Sequence, residues 1–265
     1  MQGRDGKGTA YELSGPDAAH VVVLIHGLGL NRQIWQWHEP ALAARYRVLS
    51  YDLFGHGESA PPPATTSLSV FSEQLRDLLD ELGIARCALV GFSLGGMINR
   101  RFVLDHPARV SALAILNSPH ERGPEAQRLV EERASQVVGG GSDATIESAL
   151  ERWFTPEFRA DRPEVMAQIR RWRAGNDAAS YPQSCMVLAA GVTELIRPDP
   201  PITAPTLVMT GEKDSGSTPA MSTAIAAEIP GAETVIVPRL QHMGLVEEPG
   251  LFTEALLRFL DRALG

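Results

Sequence analysis

The fold of this chain is decided by the stretch Ala88-Leu89-Val90-Gly91-Phe92-Ser93-Leu94-Gly95. Its first three residues form a short apolar run that predicts a buried strand, and residues 91–95 match the pattern Gly-x-Ser-x-Gly. Residues 94–105 predict a helix that closes before Pro107, because the residue before a proline disfavours helical backbone. A serine between a buried strand and a helix is the context that this pattern requires.

The glycines of this turn indicate why a serine would be presented there. Gly91 and Gly95 remove side chains that would collide with neighbouring backbone on so tight a turn. We expect strained backbone at Ser93, at a cost of about 1–3 kcal/mol, which functional sites tolerate. The backbone N–H of Leu94, at the start of the helix, is then a candidate donor to an oxyanion.

Outward from the serine, short apolar runs alternate with helical patterns along the chain. This alternation predicts an α/β fold with a mostly parallel sheet flanked by helices. The other predicted strands are residues 21–25, 47–51, 112–116, 206–210 and 234–237. Helices are expected at 68–82, 219–228 and 251–263.

Two candidate partners for Ser93 lie further along the chain, each just after a predicted strand. These are Asp214 and His242, and the carboxyl ends of parallel strands meet at one edge of a sheet. A serine hydroxyl is a poor nucleophile until a base takes its proton. We predict that His242 is that base and that Asp214 orients it, with Glu212 a nearby rival for the acid.

The loop after the first predicted strand is a candidate second half of an oxyanion hole. It reads His26-Gly27-Leu28-Gly29-Leu30, and its glycines allow the backbone to approach a substrate oxygen closely. The N–H of Leu28 is the predicted donor. We expect His26 to brace this loop and to take no part in catalysis.

Between the predicted strands at 112–116 and 206–210 the strand signals disappear and helical pieces follow one another. We therefore predict a core formed by residues 1–118 and 204–265, with a helical cap insertion at 119–203. One cap helix is expected to begin after Ser142-Asp143. The residues expected to line a largely apolar pocket beneath the cap are Trp153, Phe154, Trp172 and Met186. No basic cluster for a multiply charged substrate stands out.

The composition narrows the possible partners, cofactors and location of the protein further. The 265 residues carry a formal net charge of −8, which argues against nucleic acid or an anionic membrane as partner. Cys87 and Cys185 are expected to be free thiols. There is no secretory signal and no metal-ligand spacing, so a cytoplasmic location, no metal and no cofactor are expected. The partner is then a small-molecule ester or lactone, and monomer and homodimer both stay open.

Taken together, these motifs resemble the α/β-hydrolase superfamily, and within it small bacterial carboxylesterases and 3-oxoadipate enol-lactonases. The resemblance rests on residues 26–29, 52–59, 91–95 and 211–214, and on His242 before Glu248-Pro249. It departs from the enol-lactonases at His26-Gly27, where that family carries a polar Asn-Ser pair. The resemblance implies hydrolysis of a carboxylic ester or lactone through an acyl-enzyme. Cleavage of carbon–carbon bonds in ring-cleavage products, or ligand binding without catalysis, are the alternatives.

Overall fold

The computed structural model describes residues 1–140 and 145–265 of the chain. Within these residues, eight strands form one sheet. The strands are β1 (Gln2–Arg4), β2 (Ala10–Ser14), β3 (Val21–Ile25), β4 (Arg47–Tyr51), β5 (Cys87–Phe92), β6 (Val110–Leu116), β7 (Thr206–Gly211) and β8 (Glu233–Val237). They lie in the order β1-β2-β4-β3-β5-β6-β7-β8.

The predicted mostly parallel sheet is confirmed. From β4 through β3 to β8 each neighbouring pair runs parallel, whereas β2 runs antiparallel to both β1 and β4. The first two strands were not predicted from the sequence. They are the two outermost strands at one end of the sheet, three and five residues long, and both alternate in burial along their length, so neither has a continuous apolar run.

The helices begin and end close to where the sequence patterns place them. They are α1 (Glu39–Ala43), α2 (Leu68–Glu81), α3 (Leu94–Asp105), α4 (Pro124–Gly140), α5 (Ile146–Trp153), α6 (Pro156–Asp161), α7 (Pro163–Ala174), α8 (Tyr181–Ala190), α9 (Pro219–Ala227), α10 (Gly244–Glu247) and α11 (Pro249–Leu264). In chain order, helices α4 to α8 come after β6 and before β7, two strands that are neighbours in the sheet. The predicted helix start at Ser142-Asp143 lies outside the described residues.

Both faces of the sheet are buried, which explains the nearly all-apolar strand sequences. Along β3, Val22 and Leu24 pack into one apolar cluster, and Val23 and Ile25 into the other. Every residue of β5 is buried. A strand covered on both faces needs apolar side chains at odd and even positions alike. In the described part of the chain, no helix is both long and apolar enough to cross a lipid bilayer.

The parallel strands β5 to β8 bring their carboxyl ends to one edge of the sheet. Ser93 follows β5, Asn117 follows β6, Asp214 lies three residues beyond β7, and His242 lies five residues beyond β8. Residues far apart in the chain therefore meet at one rim, which is where open parallel sheets bind ligands.

Candidate active site

Ser93 occupies the strained turn that its flanking glycines predict. Its backbone has φ 56° and ψ −112°, a conformation that residues with a side chain rarely adopt. The turn is fastened by the N–H of Ser93, which donates to the carbonyl oxygen of Leu116 at 2.8 Å. The side chain is largely buried and lines a cavity beside the sheet edge. Neighbouring structure thus holds the serine in place against its conformational preference.

The glycines on either side of the serine are required by close backbone contacts. A Cβ atom at Gly91 would lie 2.2 Å from the carbonyl oxygen of Gly95. A Cβ at Gly95 would lie 2.2 Å from the carbonyl oxygen of Ile25. Both distances are far inside van der Waals contact, so a side chain at either position would force strand and helix apart.

Asp214 and His242 form a buried hydrogen-bonded pair. His242 Nδ1 lies 2.7 Å from Asp214 Oδ2. An ionised carboxylate only accepts, so Nδ1 carries the hydrogen and Nε2 keeps its lone pair. The opposite edge of the imidazole is therefore able to take a proton. Asp214 and His242 line the same cavity as Ser93.

The carboxylate of Asp214 has donors on both oxygens. Oδ1 accepts from the backbone N–H of Gly216 and of Ser217, each at 2.9 Å. Oδ2 accepts from Asn117 Nδ2 at 2.9 Å, as well as from His242. Burial alone would raise the pKa of Asp214, but the nearby His242 and these hydrogen bonds outweigh it and lower the pKa below its usual value. Asp214 is thus kept ionised and fixed in orientation.

Asn117 was not identified from the sequence. Its backbone is left-handed with φ 46°, and its N–H donates to the carbonyl oxygen of Met209 at 2.7 Å. This conformation is one that asparagine tolerates better than most residues, and it turns the side chain toward Asp214. The available signal was its position: it directly follows a predicted strand whose end lies on the same rim as Ser93.

Two aromatic rings surround the imidazole. The ring of Phe92 lies 5.0 Å from that of His242, and the ring of Trp153 lies 6.2 Å from it, measured between centroids. Phe92 precedes Ser93 in the chain, so its contact with His242 holds the imidazole next to the serine turn. Trp153 comes from the end of α5, so a helix inserted between β6 and β7 completes the wall around the histidine.

The loop after β3 is braced as expected. The buried ring of His26 donates from Nδ1 to the carbonyl oxygen of Gly27 at 2.8 Å and accepts from the N–H of Leu53 at 3.0 Å. Burial lowers the pKa of His26 to about 4, so its ring is neutral near pH 7. Its two nitrogens tie the loop to the chain segment after β4, which leaves it no role in proton transfer.

Both predicted oxyanion donors lie near the serine. Leu28 is half-buried and lines the cavity. Its N–H forms no hydrogen bond with any residue in the ranges 1–140 and 145–265. Leu94 is the first residue of α3, and an N–H at that position has no acceptor inside its own helix. Leu28 thus brings a backbone donor to the cavity, whereas Leu94 is buried beside Ser93 and does not itself line the cavity.

The cavity has a volume of about 570 Å³, a size suited to a small molecule. Of the four predicted pocket residues, Trp153 lines it, and the prediction is wrong for the other three. Phe154 is buried and stacks on Phe158, with ring centroids 5.4 Å apart. Trp172 donates from Nε1 to Gln33 Oε1 at 2.9 Å. Met186 turns toward solvent and is 38% exposed.

The cavity wall is also more basic than expected. Among the described residues, four arginines line it: Arg122, Arg133, Arg152 and Arg173. They lie before α4 and on α4, α5 and α7, up to 51 positions apart in the chain. The expectation of no basic cluster was wrong because separate helices bring single arginines together, and no contiguous run marks them.

Comparison with known proteins supports a hydrolase. The model of the alpha/beta hydrolase family matches residues 22–255. A 3-oxoadipate enol-lactonase of Acinetobacter baylyi is 28% identical, over 95% of this chain and 92% of that protein. A pimeloyl-[acyl-carrier protein] methyl ester esterase of Aeromonas hydrophila is 30% identical, over 93% and 96%. The crystal structure of the enol-lactonase from Burkholderia xenovorans LB400 superposes with a TM-score of 0.88 at 30% identity, covering 96% of each chain.

Proposed function

The chain belongs to the alpha/beta hydrolase family, and from that premise we propose that it cleaves a carboxylic ester or a lactone through an acyl-enzyme. One observation carries the proposal: the hydrogen-bonded pair of His242 and Asp214 lines the same cavity as Ser93 on its strained turn. A lactonase and a methyl ester esterase among the relatives support the same class of substrate.

In the proposed first half-reaction Ser93 is the nucleophile. Its Oγ attacks the substrate carbonyl carbon while its proton passes to Nε2 of His242. Asp214 accepts from Nδ1 and stabilises the resulting imidazolium. The negative charge that develops on the carbonyl oxygen is met by the N–H groups of Leu28 and Leu94. The bond to the leaving oxygen then breaks, and that oxygen takes the proton from His242.

The second half-reaction regenerates the enzyme. Water attacks the acyl carbon and gives a proton to Nε2 of His242, and the same two N–H groups hold the oxyanion. The bond from the acyl carbon to Ser93 Oγ breaks, and Oγ recovers the proton from His242. An ester yields a free alcohol and an acid, whereas a lactone yields a single hydroxy acid because its alcohol stays attached to the acyl chain.

We assign the segment 119–203 as a cap over a core formed by 1–118 and 204–265. In this assignment the core supplies Ser93, Asp214 and His242, and the cap supplies the wall that selects the substrate. Trp153 is the cap residue that takes part in both the substrate wall and the catalytic site, because it lines the cavity and packs near His242.

A fluorophosphonate probe and one substitution test the proposal. The wild-type chain is expected to be labelled on Ser93 and to hydrolyse p-nitrophenyl butyrate, and Ser93→Ala is expected to lose both. Ser135→Ala, at an exposed serine on α4 that does not itself line the cavity, serves as the matched control. Label found by peptide mapping on another serine, or full esterase activity in Ser93→Ala, would refute the assignment.

A further inference from the structure

We propose that the substrate carries an anionic group, a carboxylate or a phosphate, which the arginines of the segment 119–203 bind while Ser93 attacks the carbonyl. This inference rests on the proposed function and adds the substrate's charge to it. Its physical basis is the concentration of Arg122, Arg133 and Arg152, with Arg173 beside them, around one cavity in a chain whose net charge is −8.

Three of these guanidinium groups are placed by contacts other than ion pairs, as far as the described residues show. Within residues 1–140 and 145–265, no ion pair involves Arg122, Arg133 or Arg152. The hydrogen bonds of Arg122 go to the carbonyl oxygen of Ala189 at 3.3 Å and to Gln127 Oε1 at 3.5 Å. Arg152 donates to the carbonyl oxygen of Ser148 at 2.7 Å. These neutral acceptors orient the groups without cancelling their charge, and the carboxylate of Glu151 attracts Arg152 without forming an ion pair with it.

The carboxylates along the same wall are engaged elsewhere. Glu132 pairs with Arg128, which does not line the cavity. Asp214 pairs with His242. The cavity therefore presents more positive than negative charge to whatever enters it, and a cleft with one sign of charge attracts and orients a ligand of the opposite sign.

The arginines also act on one another. Partial burial lowers the pKa of Arg152, and the positive charges of Arg133 and Arg173 lower it further, outweighing the opposite effect of Glu151. Like charges held close together beside a cavity destabilise the empty protein, and an anion placed among them relieves that repulsion. A purely apolar substrate would leave the repulsion unrelieved.

Arg173 connects the arginines that line the cavity with the aromatic residues near the proposed base. Its guanidinium lies 4.9 Å from the ring centre of Tyr181 and 6.0 Å from that of Trp153, and it donates to Thr145 Oγ1 at 2.7 Å. Trp153 in turn lies beside His242. Trp153 thus lies beside both Arg173 and the proposed base, His242. This spacing allows one small molecule to place its anionic group on the arginines and its reacting carbonyl at Ser93.

The planar fork of arginine binds carboxylate and phosphate in the same bidentate way, and two arms of an experiment separate them. The first arm compares kcat/KM for monomethyl adipate and methyl hexanoate, which have equally long acyl chains and differ in a terminal carboxylate. The second measures how glutarate and inorganic phosphate slow fluorophosphonate labelling of Ser93. Protection by glutarate identifies a carboxylate site, and protection by phosphate alone identifies a phosphate site.

The wild-type chain is expected to prefer the anionic ester by about tenfold or more, the usual contribution of a charge-assisted hydrogen bond. Arg152→Gln and Arg133→Gln are each expected to reduce that ratio at least about threefold. Arg170→Gln is the matched control, because Arg170 lies on α7 but pairs with Glu147 and does not line the cavity. Raising the salt to 0.5 M should reduce the ratio in the wild type, since mobile ions screen exposed charge.

A wild-type chain that hydrolyses both esters equally, with no protection by either anion, overturns this inference and leaves the proposed function standing. The same holds if Arg170→Gln lowers the ratio as much as Arg152→Gln does. A folded chain that cleaves no ester and whose Ser93 does not react with the probe overturns the proposed function itself. If Arg152→Gln does not fold, the salt dependence and the protection by glutarate still decide.

Discussion

Asn117 Nδ2 donates to Asp214 Oδ2 across 2.9 Å, to the same oxygen that accepts from His242. Asn117 reaches this position because its backbone is left-handed directly after β6. It does not line the cavity, so it acts on a ligand only through Asp214. We interpret it as a positioning residue that fixes the carboxylate while the carboxylate fixes the imidazole.

Asn117→Ala is expected to lower kcat about tenfold, because a hydrogen bond to a buried charged group contributes about 1.5–3 kcal/mol and part of it is kept by the other donors to Asp214. KM should change little, since Asn117 makes no contact with the cavity. Steady-state kinetics on p-nitrophenyl butyrate separate the two constants.

Asn99→Ala provides the control for this variant. Asn99, on α3, is also a buried asparagine, and it donates to the carbonyl oxygen of Ala114 on β6 at 2.8 Å. We expect it to lower stability without a comparable fall in kcat. An equal fall in kcat for both variants would indicate general loosening and remove the positioning role of Asn117.

Asp214→Asn is expected to lower kcat about 10³- to 10⁴-fold, because an amide presents N–H where the carboxylate accepts and reverses the tautomer of His242. Glu212→Gln is the matched change, two residues away on the same loop. Glu212 is exposed and accepts from the N–H of Arg239 at 2.8 Å, so it should keep about wild-type kcat. Stopped assays on a slow substrate measure the difference, and a larger loss in Glu212→Gln would transfer the acid's role to Glu212.

Much of the fold could be predicted from the sequence because it depends on local patterns. The strands of the parallel part are buried on both faces and therefore read as apolar runs, and β5, its turn and α3 lie where the glycines and Pro107 place them. The antiparallel strands β1 and β2 carry no such signal. β2 pairs with β4 and β1 pairs with β2, and both pairings depend on tertiary contacts.

The candidate site also has a part that could be predicted from the sequence and a part that could not. Ser93, Asp214 and His242 follow strand ends, so the topology of a parallel sheet was enough to bring them together. The cavity wall follows no such rule, since which helical face turns inward depends on packing. Trp172 was expected there but bonds Gln33, whereas Arg152 reaches the wall from a helix with no basic run.

Gly95→Ala should prevent the native turn, because the new Cβ would lie 2.2 Å from the carbonyl oxygen of Ile25 and neither backbone can yield. We expect a loss of at least about 3 kcal/mol in the free energy of unfolding. Gly250→Ala, where a Cβ would meet no atom within 4 Å, should leave stability unchanged or raise it by up to about 1 kcal/mol. Urea denaturation compares the two, and similar midpoints would contradict the close contact.

Three buried histidines predict a loss of stability in mild acid. Burial lowers the pKa of His26 and of His38 to about 4 and that of His56 to about 3, below the value of about 6.5 in an unfolded chain. Between those values the unfolded chain binds more protons, so the stabilisation is complete above pH 6.5 and is lost as the pH falls toward 4. Each histidine then contributes a loss on the order of 3 kcal/mol, and unfolding is expected near pH 4–5.

His38→Gln isolates one of these titrations away from the cavity. His38 donates from Nε2 to the carbonyl oxygen of Leu245 at 2.9 Å, which a glutamine amide can partly replace, while its Nδ1 lies 2.8 Å from Thr253 Oγ1. The variant should lose about 1–2 kcal/mol at pH 7, where wild-type His38 is neutral and bonded. From pH 6.5 to 5, where the wild-type chain is still folded, its free energy of unfolding should fall less steeply with pH. The difference in slope should correspond to about one bound proton, because one titrating group is gone. Urea denaturation at half-unit pH steps measures both slopes. Parallel curves for the two proteins would mean that His38 does not change its charge on unfolding, and the acid sensitivity would then need another source.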